Sequence, residues 1–326
     1  MNRRDFIRKL VICGGTIGLL GKLLDPNLLR AEPFSNALEY YRIVVLGDPH
    51  LPVREREVKD LTKRHKIVDA KNKVVEDINS WEDVKQINVM GDIVAQFGTV
   101  EEYAYARQYF ARFNKPISFI VGNHDYIYAD AFSTEGKFIR ADAVSREQKL
   151  NRFKEAFGQS VLFYSQTVGR YLLIFLSPDS LESSHLTQIS EQQLVWFRNE
   201  LEKHPAAPTI IFFHAPLAGT LLNYNKDVNT PNFIVQPKDA VEKIINDNPQ
   251  ILLWVSGHTH TSATNPSYAS SVNAFGGRLT NIHNADMDRE TIWTNSLYLY
   301  PNKVLIKTFN HKEKVWEADL ERTIYI

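Results

Sequence analysis

Five times along this chain, a run of apolar, strand-forming residues ends on Asp, Asn or His. The apolar runs span residues 42–46, 87–90, 117–121, 209–213 and 251–256. The polar clusters that follow them are Gly-Asp-Pro-His at 47–50, Gly-Asp at 91–92, Gly-Asn-His-Asp at 122–125, His214, and Gly-His-Thr-His at 257–260. Because ligands of open α/β sheets bind at the carboxyl ends of the strands, the pattern predicts one site assembled at one sheet edge.

The five clusters differ in how much each indicates alone. Gly91-Asp92 is typical of a turn, and a single histidine such as His214 is more often a hydrogen-bonded strand end. Asp48 and His50 stand two residues apart in an extended segment, so both side chains can face one ion. Residues 257–260 place two imidazoles at a spacing that packing rarely requires, and 122–125 is the most specific cluster.

In their order and type, the five clusters resemble those of the calcineurin-like metallophosphoesterases, over about residues 42–262. The resemblance implies a first metal ion held by Asp48, His50 and His260, a second held by Asn123, His214 and His258, and Asp92 as the bridge between them. The ligands would suit manganese, iron or zinc, since no thiolate takes part. A hydroxide activated by the two ions would attack the phosphorus of a phosphomonoester or phosphodiester.

Two further residues of the 122–125 cluster are candidates for catalysis. The resemblance implies that His124 donates a proton to the leaving alkoxide or orients the phosphate. Asp125 would then fix the tautomer of that ring, as carboxylates beside metal sites do. A structural link between strand and loop remains an alternative for His124, and His50 could support the nucleophile more than it binds metal.

Within the family, the chain is most similar to class III cyclic-nucleotide phosphodiesterases. This similarity rests on residues 122–125, 190–201 and 213–217. Ala95 stands where family members with a tyrosinate-bound iron carry tyrosine, which disfavours a purple acid phosphatase. Two alternatives stay open: a non-catalytic metal- or partner-binding protein on the same scaffold, and a nuclease.

The amino-acid composition and net charge of the chain limit the kinds of molecule that it is expected to bind. The chain has 326 residues, of which 44% are hydrophobic and 23% charged, and its formal net charge is zero. These values are typical of a soluble globular protein, and residues 38–326 are predicted to form one domain. Without a basic excess there is no electrostatic basis for non-specific binding of nucleic acid. The partner that the resemblance implies is a small phosphoester.

The N-terminus resembles an export signal. Arg3-Arg4, with Phe6 two positions later, precedes a weakly hydrophobic stretch at residues 10–20. Residues 1–31 are therefore predicted to be a twin-arginine-type signal read by the twin-arginine export machinery, with a cytosolic basic helix as the alternative. The protein would act in the periplasm or on the outer face of the cytoplasmic membrane. It would touch the membrane only if the signal stays uncleaved.

Periodicity predicts alternating strands and helices. Helical spacing favours helices within 54–80 and at 101–113, 146–157, 190–201 and 238–246, the fourth capped by Ser190. Hairpins are expected at 166–176 and 291–309, and a loop near the site at 262–280. The order predicts two packed sheets flanked by helices, and the resemblance implies the same four-layer α-β-β-α sandwich of two mixed sheets.

Overall fold

A computed structural model describes residues 40–224 and 227–326. The strands are β1 (Tyr41–Leu46), β2 (Val84–Val89), β3 (Ile117–Phe119), β4 (Tyr128–Phe132), β5 (Phe138–Arg140), β6 (Tyr164–Val168), β7 (Tyr171–Phe175), β8 (Thr209–Phe212), β9 (Ile251–Ser256), β10 (Ala274–Phe275), β11 (Leu279–His283), β12 (Trp293–Tyr300), β13 (Lys303–Asn310), β14 (Val315–Trp316) and β15 (Arg322–Tyr325). The α-helices are α1 (Leu61–Ser80), α2 (Val100–Phe110), α3 (Asn123–Tyr126), α4 (Ala143–Phe157), α5 (Glu191–Lys203) and α6 (Lys238–Asp247).

Two mixed sheets form the centre of the fold. The first has the order β14-β13-β12-β1-β2-β3, with β15 also paired to β13, and the second has the order β10-β11-β9-β8-β7-β6. In the first sheet β1, β2 and β3 run parallel. In the second, β7, β8, β9 and β11 run parallel. Both sheets therefore bring the ends of several parallel strands to one edge.

Three apolar clusters define the layers. Ile43 and Val45 of β1 pack with Leu173, Ile210 and Leu253 of the second sheet, between the two sheets. Helices α1, α2 and α4 cover the outer face of the first sheet. Helices α5 and α6 cover the outer face of the second. The predicted four-layer sandwich is confirmed.

The helices begin where the sequence supplies a cap. Asp60 accepts hydrogen bonds from the backbone of Thr62 at 2.7 Å and of Lys63 at 3.1 Å, which fixes the first turn of α1. Thr99 and Glu102 form a reciprocal capping box at α2. The predicted cap at Ser190 is confirmed, since its hydroxyl accepts from the backbone of Gln193.

Helix α1 (Leu61–Ser80) lies within the stretch 54–80 that is expected to be helical. Two other parts of the fold differ from the sequence-based expectation. Strands β4 and β5, which pair as a separate two-stranded sheet, were not predicted. The expected loop at 262–280 contains β10 and leads into β11. Strand β11 pairs in parallel with β9, so the backbone of this polar segment is hydrogen-bonded within the second sheet.

Within the described ranges, no helix is long and apolar enough to cross a membrane. The predicted signal at residues 1–31 lies outside them.

Candidate metal centre

The five predicted clusters meet at one edge of the two sheets. Ligand atoms of Asp48, His50, Asp92 and His260 all lie within 4.8 Å of one another. A second group, made of Asp92, His214 and His258, satisfies the same distance. Asp92 belongs to both groups. The structure therefore brings together all six of the predicted Asp and His ligands.

Convergent nitrogen and oxygen atoms define the first group. The Nε2 atoms of His50 and His260 lie 3.0 Å apart. Nε2 of His260 is 3.1 Å from Oδ2 of Asp48. Nε2 of His50 is 3.8 Å from Oδ2 of Asp92. Such crowding of electron-pair donors is typical of ligands arranged around a cation.

Backbone carbonyls orient the rings of the second group. Nδ1 of His214 donates to the carbonyl of Met90 over 2.7 Å, which leaves Nε2 facing the cluster. That Nε2 lies 3.4 Å from Oδ1 of Asp92. It also lies 3.1 Å from Oδ1 of Asn123, the predicted amide ligand. His258 donates from Nε2 to the carbonyl of Asn232 over 2.7 Å, so its Nδ1 is the nitrogen able to accept. Support of this kind is usual for metal-binding histidines.

The backbone at the site adopts a conformation that side chains other than glycine rarely take. Among the described residues, the non-glycine residues with positive φ are Asp48, His50, Asp92, His258, His260 and Lys314, at 26°, 44°, 48°, 64°, 53° and 56°. The first five of them are predicted ligands. Strained dihedrals concentrate at functional sites because the surrounding structure enforces them. Here they turn the chain sharply after β1, β2 and β9 and aim the side chain across the edge.

Close packing requires glycine beside two of the carboxylates. A Cβ atom at Gly257 would lie 2.3 Å from Oδ1 of Asp48. At Gly122 it would lie 2.1 Å from the backbone nitrogen of Asp92. Real Cβ atoms do not approach other atoms so closely, so both positions exclude any side chain.

Burial and the charges of neighbouring groups shift the pKa values of the ligand side chains. Burial raises the pKa of Asp48 well above its ordinary value. Although burial acts in the same direction on Asp92, the charges of His214 and His124 hold its pKa well below the ordinary value. Burial lowers the pKa of His258 to about 3, so this imidazole is neutral at pH 7 and available as a ligand. Buried carboxylates of this kind are paired with a positive charge or bind a metal.

One buried polar atom agrees with a metal at this place. Oδ1 of Asp48 has no hydrogen-bond partner within the described ranges. Such an atom is costly to bury unless something binds it. The remaining donors are carboxylate oxygens, imidazole nitrogens and one amide oxygen, a set that suits first-row metal ions. The residues present therefore fit the implied pair of ions.

His124 lies beside the cluster, but its support differs from the prediction. Its ring centroid is 5.1 Å from that of His50, and its Nδ1 lies 3.1 Å from the carbonyl of Gln96. Asp125 does not contact this ring. Its carboxylate accepts backbone N–H groups of Ile93, Val94 and Gly122. The prediction that Asp125 fixes the His124 tautomer is wrong, because the Gln96 carbonyl occupies that position.

Sequence reasoning missed several residues that support the site. Arg54, Lys71, Asp286 and Asp288 are all buried behind the first group. Asp286 and Asp288 follow the end of β11, so the strand-end pattern could have identified them. Arg54 and Lys71 carry no such signal, because charged residues in loops and helices are usually exposed.

The calcineurin-like phosphoesterase family model matches residues 41–262. The chain belongs to this family. The matched range contains every predicted ligand, from Asp48 to His260. It ends before the segment that carries Asp286 and Asp288.

One curated relative is the uncharacterized protein YvnB of Bacillus subtilis. It is 23% identical over 201 residues, which cover 60% of this chain but 14% of that protein. The chain therefore matches only a small part of its relative's length.

Three solved structures share the fold. A dimetal phosphatase from Danio rerio has a TM-score of 0.53 at 14% identity, covering 87% of this chain and 98% of that one. A purple acid phosphatase from yellow lupin has a TM-score of 0.54 at 13% identity, covering 88% and 54%. PhoD has a TM-score of 0.54 at 8% identity, covering 90% and 73%. At these identities the similarity establishes the architecture alone.

Proposed function

We propose that the protein is a dinuclear-metal-dependent hydrolase of phosphomonoesters or phosphodiesters. The observation that carries the proposal is the position of Asp92, whose carboxylate belongs to both ligand groups. A carboxylate shared by two groups is suited to screen the repulsion between two cations about 3.5–4 Å apart. A single-ion site would have no use for two such groups.

The bound ions would supply a nucleophile from water near neutral pH and neutralise the phosphoryl oxygens. The chain's own residues hold this arrangement. Oδ2 of Asp48 accepts the backbone N–H of His258 over 2.7 Å, which leaves its buried Oδ1 unpaired. His214 and His258 each donate a hydrogen bond from one ring nitrogen to a backbone carbonyl. This bond fixes the ring and leaves the other nitrogen free to bind a metal ion.

We propose that His124 protonates the leaving group from Nε2, in the form of the ring that carries a proton on both nitrogens. With Nδ1 donating to the Gln96 carbonyl, Nε2 remains for the substrate side. The ring also packs against Tyr128 and Phe138, at centroid distances of 5.2 Å and 5.3 Å. These contacts and the hydrogen bond to Gln96 restrict the orientation of the ring, which favours proton transfer in the transition state.

Charge and ligand chemistry favour a small substrate. The net charge of zero gives no support to a nuclease that grips a polyanion. Ala95 offers no ligand atom, so a tyrosinate-bound iron is not proposed. The similarity to cyclic-nucleotide phosphodiesterases, drawn from the sequence, keeps cyclic phosphodiesters among the candidates.

A substrate panel with controlled metal content tests the proposal. The purified protein is stripped by chelation and reloaded with manganese, iron or zinc, then assayed on phosphomonoesters, phosphodiesters, nucleotides and lipid head-group esters. We expect no hydrolysis after chelation and recovery with two ions per chain. Full activity in metal-free protein would refute the proposal. A loaded protein that hydrolyses none of the panel would favour the non-catalytic binding protein.

We also propose that residues 1–31 direct the protein across the cytoplasmic membrane by the twin-arginine route. Arg3, Arg4 and Phe6 support this, together with the weakly hydrophobic stretch that follows. That route carries folded proteins, so the metal site could be filled before export.

A further inference from the structure

A buried ionic network lies behind the first ligand group. Nε of Arg54 is 3.0 Å from Oδ2 of Asp288, and its Nη2 is 3.1 Å from Oδ2 of Asp286. Nζ of Lys71 donates to Oδ1 of Asp288 over 2.8 Å. Arg289 donates from Nε to Oδ1 of Asp286 over 2.5 Å. We call these five residues the Arg54 network.

The Arg54 network contacts two of the three residues proposed to hold the first metal ion. Nη1 of Arg54 lies 3.2 Å from Nδ1 of His260. Arg289 donates to the backbone carbonyl of His260 over 2.6 Å. Lys71 donates to the backbone carbonyl of His50 over 3.0 Å. The last two contacts fix the backbone that carries each ring.

The third first-metal residue is held by the same segment of chain. The backbone N–H of Met287, between the two acids of the network, donates to the carbonyl of Asp48 over 3.1 Å. Asp286, Met287 and Asp288 all lie beyond residue 262, where the family match ends. The segment beyond the matched range therefore binds the backbone of Asp48 directly and that of His260 through Arg289, while His50 is held by Lys71 from within that range.

The second-metal residues are supported differently. His214 and His258 donate to the carbonyls of Met90 and Asn232, and the Asn123 amide reaches the Tyr128 hydroxyl at 3.4 Å. Across the described part of the chain, no hydrogen bond joins the Arg54 network to these three residues. The Arg54 network thus reaches the first metal position only, although the backbone N–H of His258 also holds Asp48, over 2.7 Å.

We propose that the Arg54 network is a positioning device that controls occupancy of the first metal position and leaves the second unaffected. This inference rests on the proposed dinuclear function. A guanidinium suits the task because its planar fork holds Asp286 and Asp288, on either side of Met287, at the same time. Its nitrogens only donate, so a hydrogen bond to Nδ1 of His260 would leave the ring proton on Nε2 and keep that nitrogen from binding metal. The network therefore acts through the backbone carbonyls of Asp48, His50 and His260.

Two explanations of how Arg54 acts, through its charge or through geometry, predict opposite effects of its removal on metal affinity. If Arg54 acted mainly through its positive charge, removing that charge would strengthen the attraction of a cation to the first position. If it acts by geometry, removal should weaken binding there. Arg54→Gln removes the charge, and Arg54→Lys keeps the charge while losing the fork. The pair of variants separates the two explanations.

The experiment measures metal content and affinity rather than turnover alone. Wild type and variants are titrated with manganese, bound ions per chain are counted, and electron paramagnetic resonance distinguishes a coupled pair from an isolated ion. We expect Arg54→Gln and Arg54→Lys to raise the dissociation constant of one ion about 10–100-fold. The other ion should remain with an unchanged constant, and the spectrum should become that of an isolated ion.

Arg42→Gln is the matched control. Arg42 is also a buried arginine, paired with Asp83 at 2.7 Å, but it lies at the opposite end of β1. This variant should keep two ions. If Arg54→Gln does not fold, Arg289→Gln tests the same network from a side chain that is 31% exposed, and it too should weaken only one ion.

Two results would overturn the inference: unchanged affinity for both ions in the Arg54 and Arg289 variants, or equal weakening of both. Tighter binding in Arg54→Gln with no change in Arg54→Lys would assign the effect to charge and also overturn it. A wild-type protein that binds fewer than two ions would instead refute the dinuclear function on which the inference rests.

Discussion

The backbone N–H of His124 donates a hydrogen bond to Oδ1 of Asp92 over 2.8 Å. The predicted proton donor and the predicted bridging carboxylate are therefore coupled directly. An equivalent bond runs from the backbone of His258 to Oδ2 of Asp48 over 2.7 Å. Each carboxylate is thus oriented by the loop that carries another functional residue, which explains how loops after separate strands keep one geometry.

Asp92→Ala should be the most damaging single substitution at the site. The change removes the carboxylate common to both groups, so it should weaken both ions and leave their repulsion unscreened. We expect activity to fall by more than the roughly 10–100-fold cost of losing a group that only supports a ligand. Metal content should fall below one ion per chain. Asp83→Ala, at the remote pair with Arg42, is the control and should retain both ions. Retention of two ions by Asp92→Ala would contradict the bridging role.

His124→Ala should lower turnover about 10²–10⁴-fold while two ions stay bound. If the ring protonates the leaving group, the loss should shrink for esters with an acidic leaving group such as nitrophenol. The measurement is turnover on a series of leaving groups, together with metal content. Equal losses across the series would indicate phosphate positioning instead. Loss of metal would make His124 a structural residue.

Gly257→Ala should disable the first ligand group without unfolding the protein. The new methyl group would lie 2.3 Å from Oδ1 of Asp48, so the carboxylate must move. We expect one ion to be lost, measured by metal content and by thermal unfolding. Gly277→Ala is the control, because a Cβ there meets nothing within 4 Å. Its positive φ should cost about 1–2 kcal/mol in stability and leave metal binding intact. Full metal content in Gly257→Ala would show that the site tolerates the shift.

The strand-end clusters could be found from sequence because each is a local signal. A run of apolar residues followed by Gly-Asp or Gly-Asn-His-Asp is visible in one short window. Parallel pairing then brings the carboxyl ends of the strands to one edge of the sheet, whatever the length of the segments that connect the strands. For the same reason the Ser190 cap of α5 and the hairpin of β12 and β13 could be predicted from a few neighbouring residues.

The supports of the site could not be found in this way because they depend on distant contacts. Lys71 lies on α1 among residues typical of an exposed helix face, and only the fold buries it against Asp288. The carbonyl of Gln96, which orients His124, is a backbone group that no residue type reveals. The nearest acidic side chain, Asp125, was the reasonable sequence-based choice. The fold instead uses it to bind three backbone N–H groups.

Acid should destabilise the protein partly through His283. This histidine is fully buried, donates to the carbonyl of Thr220 over 3.0 Å, and has its pKa lowered to about 3 by burial. The unfolded chain takes up the proton near pH 6.5 and the folded chain does not. The contribution of His283 to the free energy of unfolding is therefore fully present above pH 6.5. It falls by about 1.4 kcal/mol per pH unit as the pH drops toward the pKa that His283 has in the folded protein.

Denaturant unfolding at pH 5, 6 and 7 with matched metal content measures this effect. His283→Gln keeps a donor for Thr220 but cannot titrate, so its stability should depend less steeply on pH than that of the wild type. Between pH 6 and 5, the free energy of unfolding of the wild type should fall more steeply with pH than that of the variant. The difference between the two slopes should approach the value for one proton taken up on unfolding. Parallel curves for the two proteins would show that His283 is not the group responsible.

Replacement of Arg3 and Arg4 by lysine should stop export while leaving the enzyme intact. The double change keeps the positive charge but removes the pair that a twin-arginine receptor reads. A signal that worked through charge alone would tolerate it. Because the first predicted ligand is Asp48, far along the chain from this pair, the retained protein should be folded and metal-loaded in the cytoplasm. Fractionation with an activity assay checks this. A wild-type protein found only in the cytosol would refute export and would make a cytosolic cyclic nucleotide a candidate substrate.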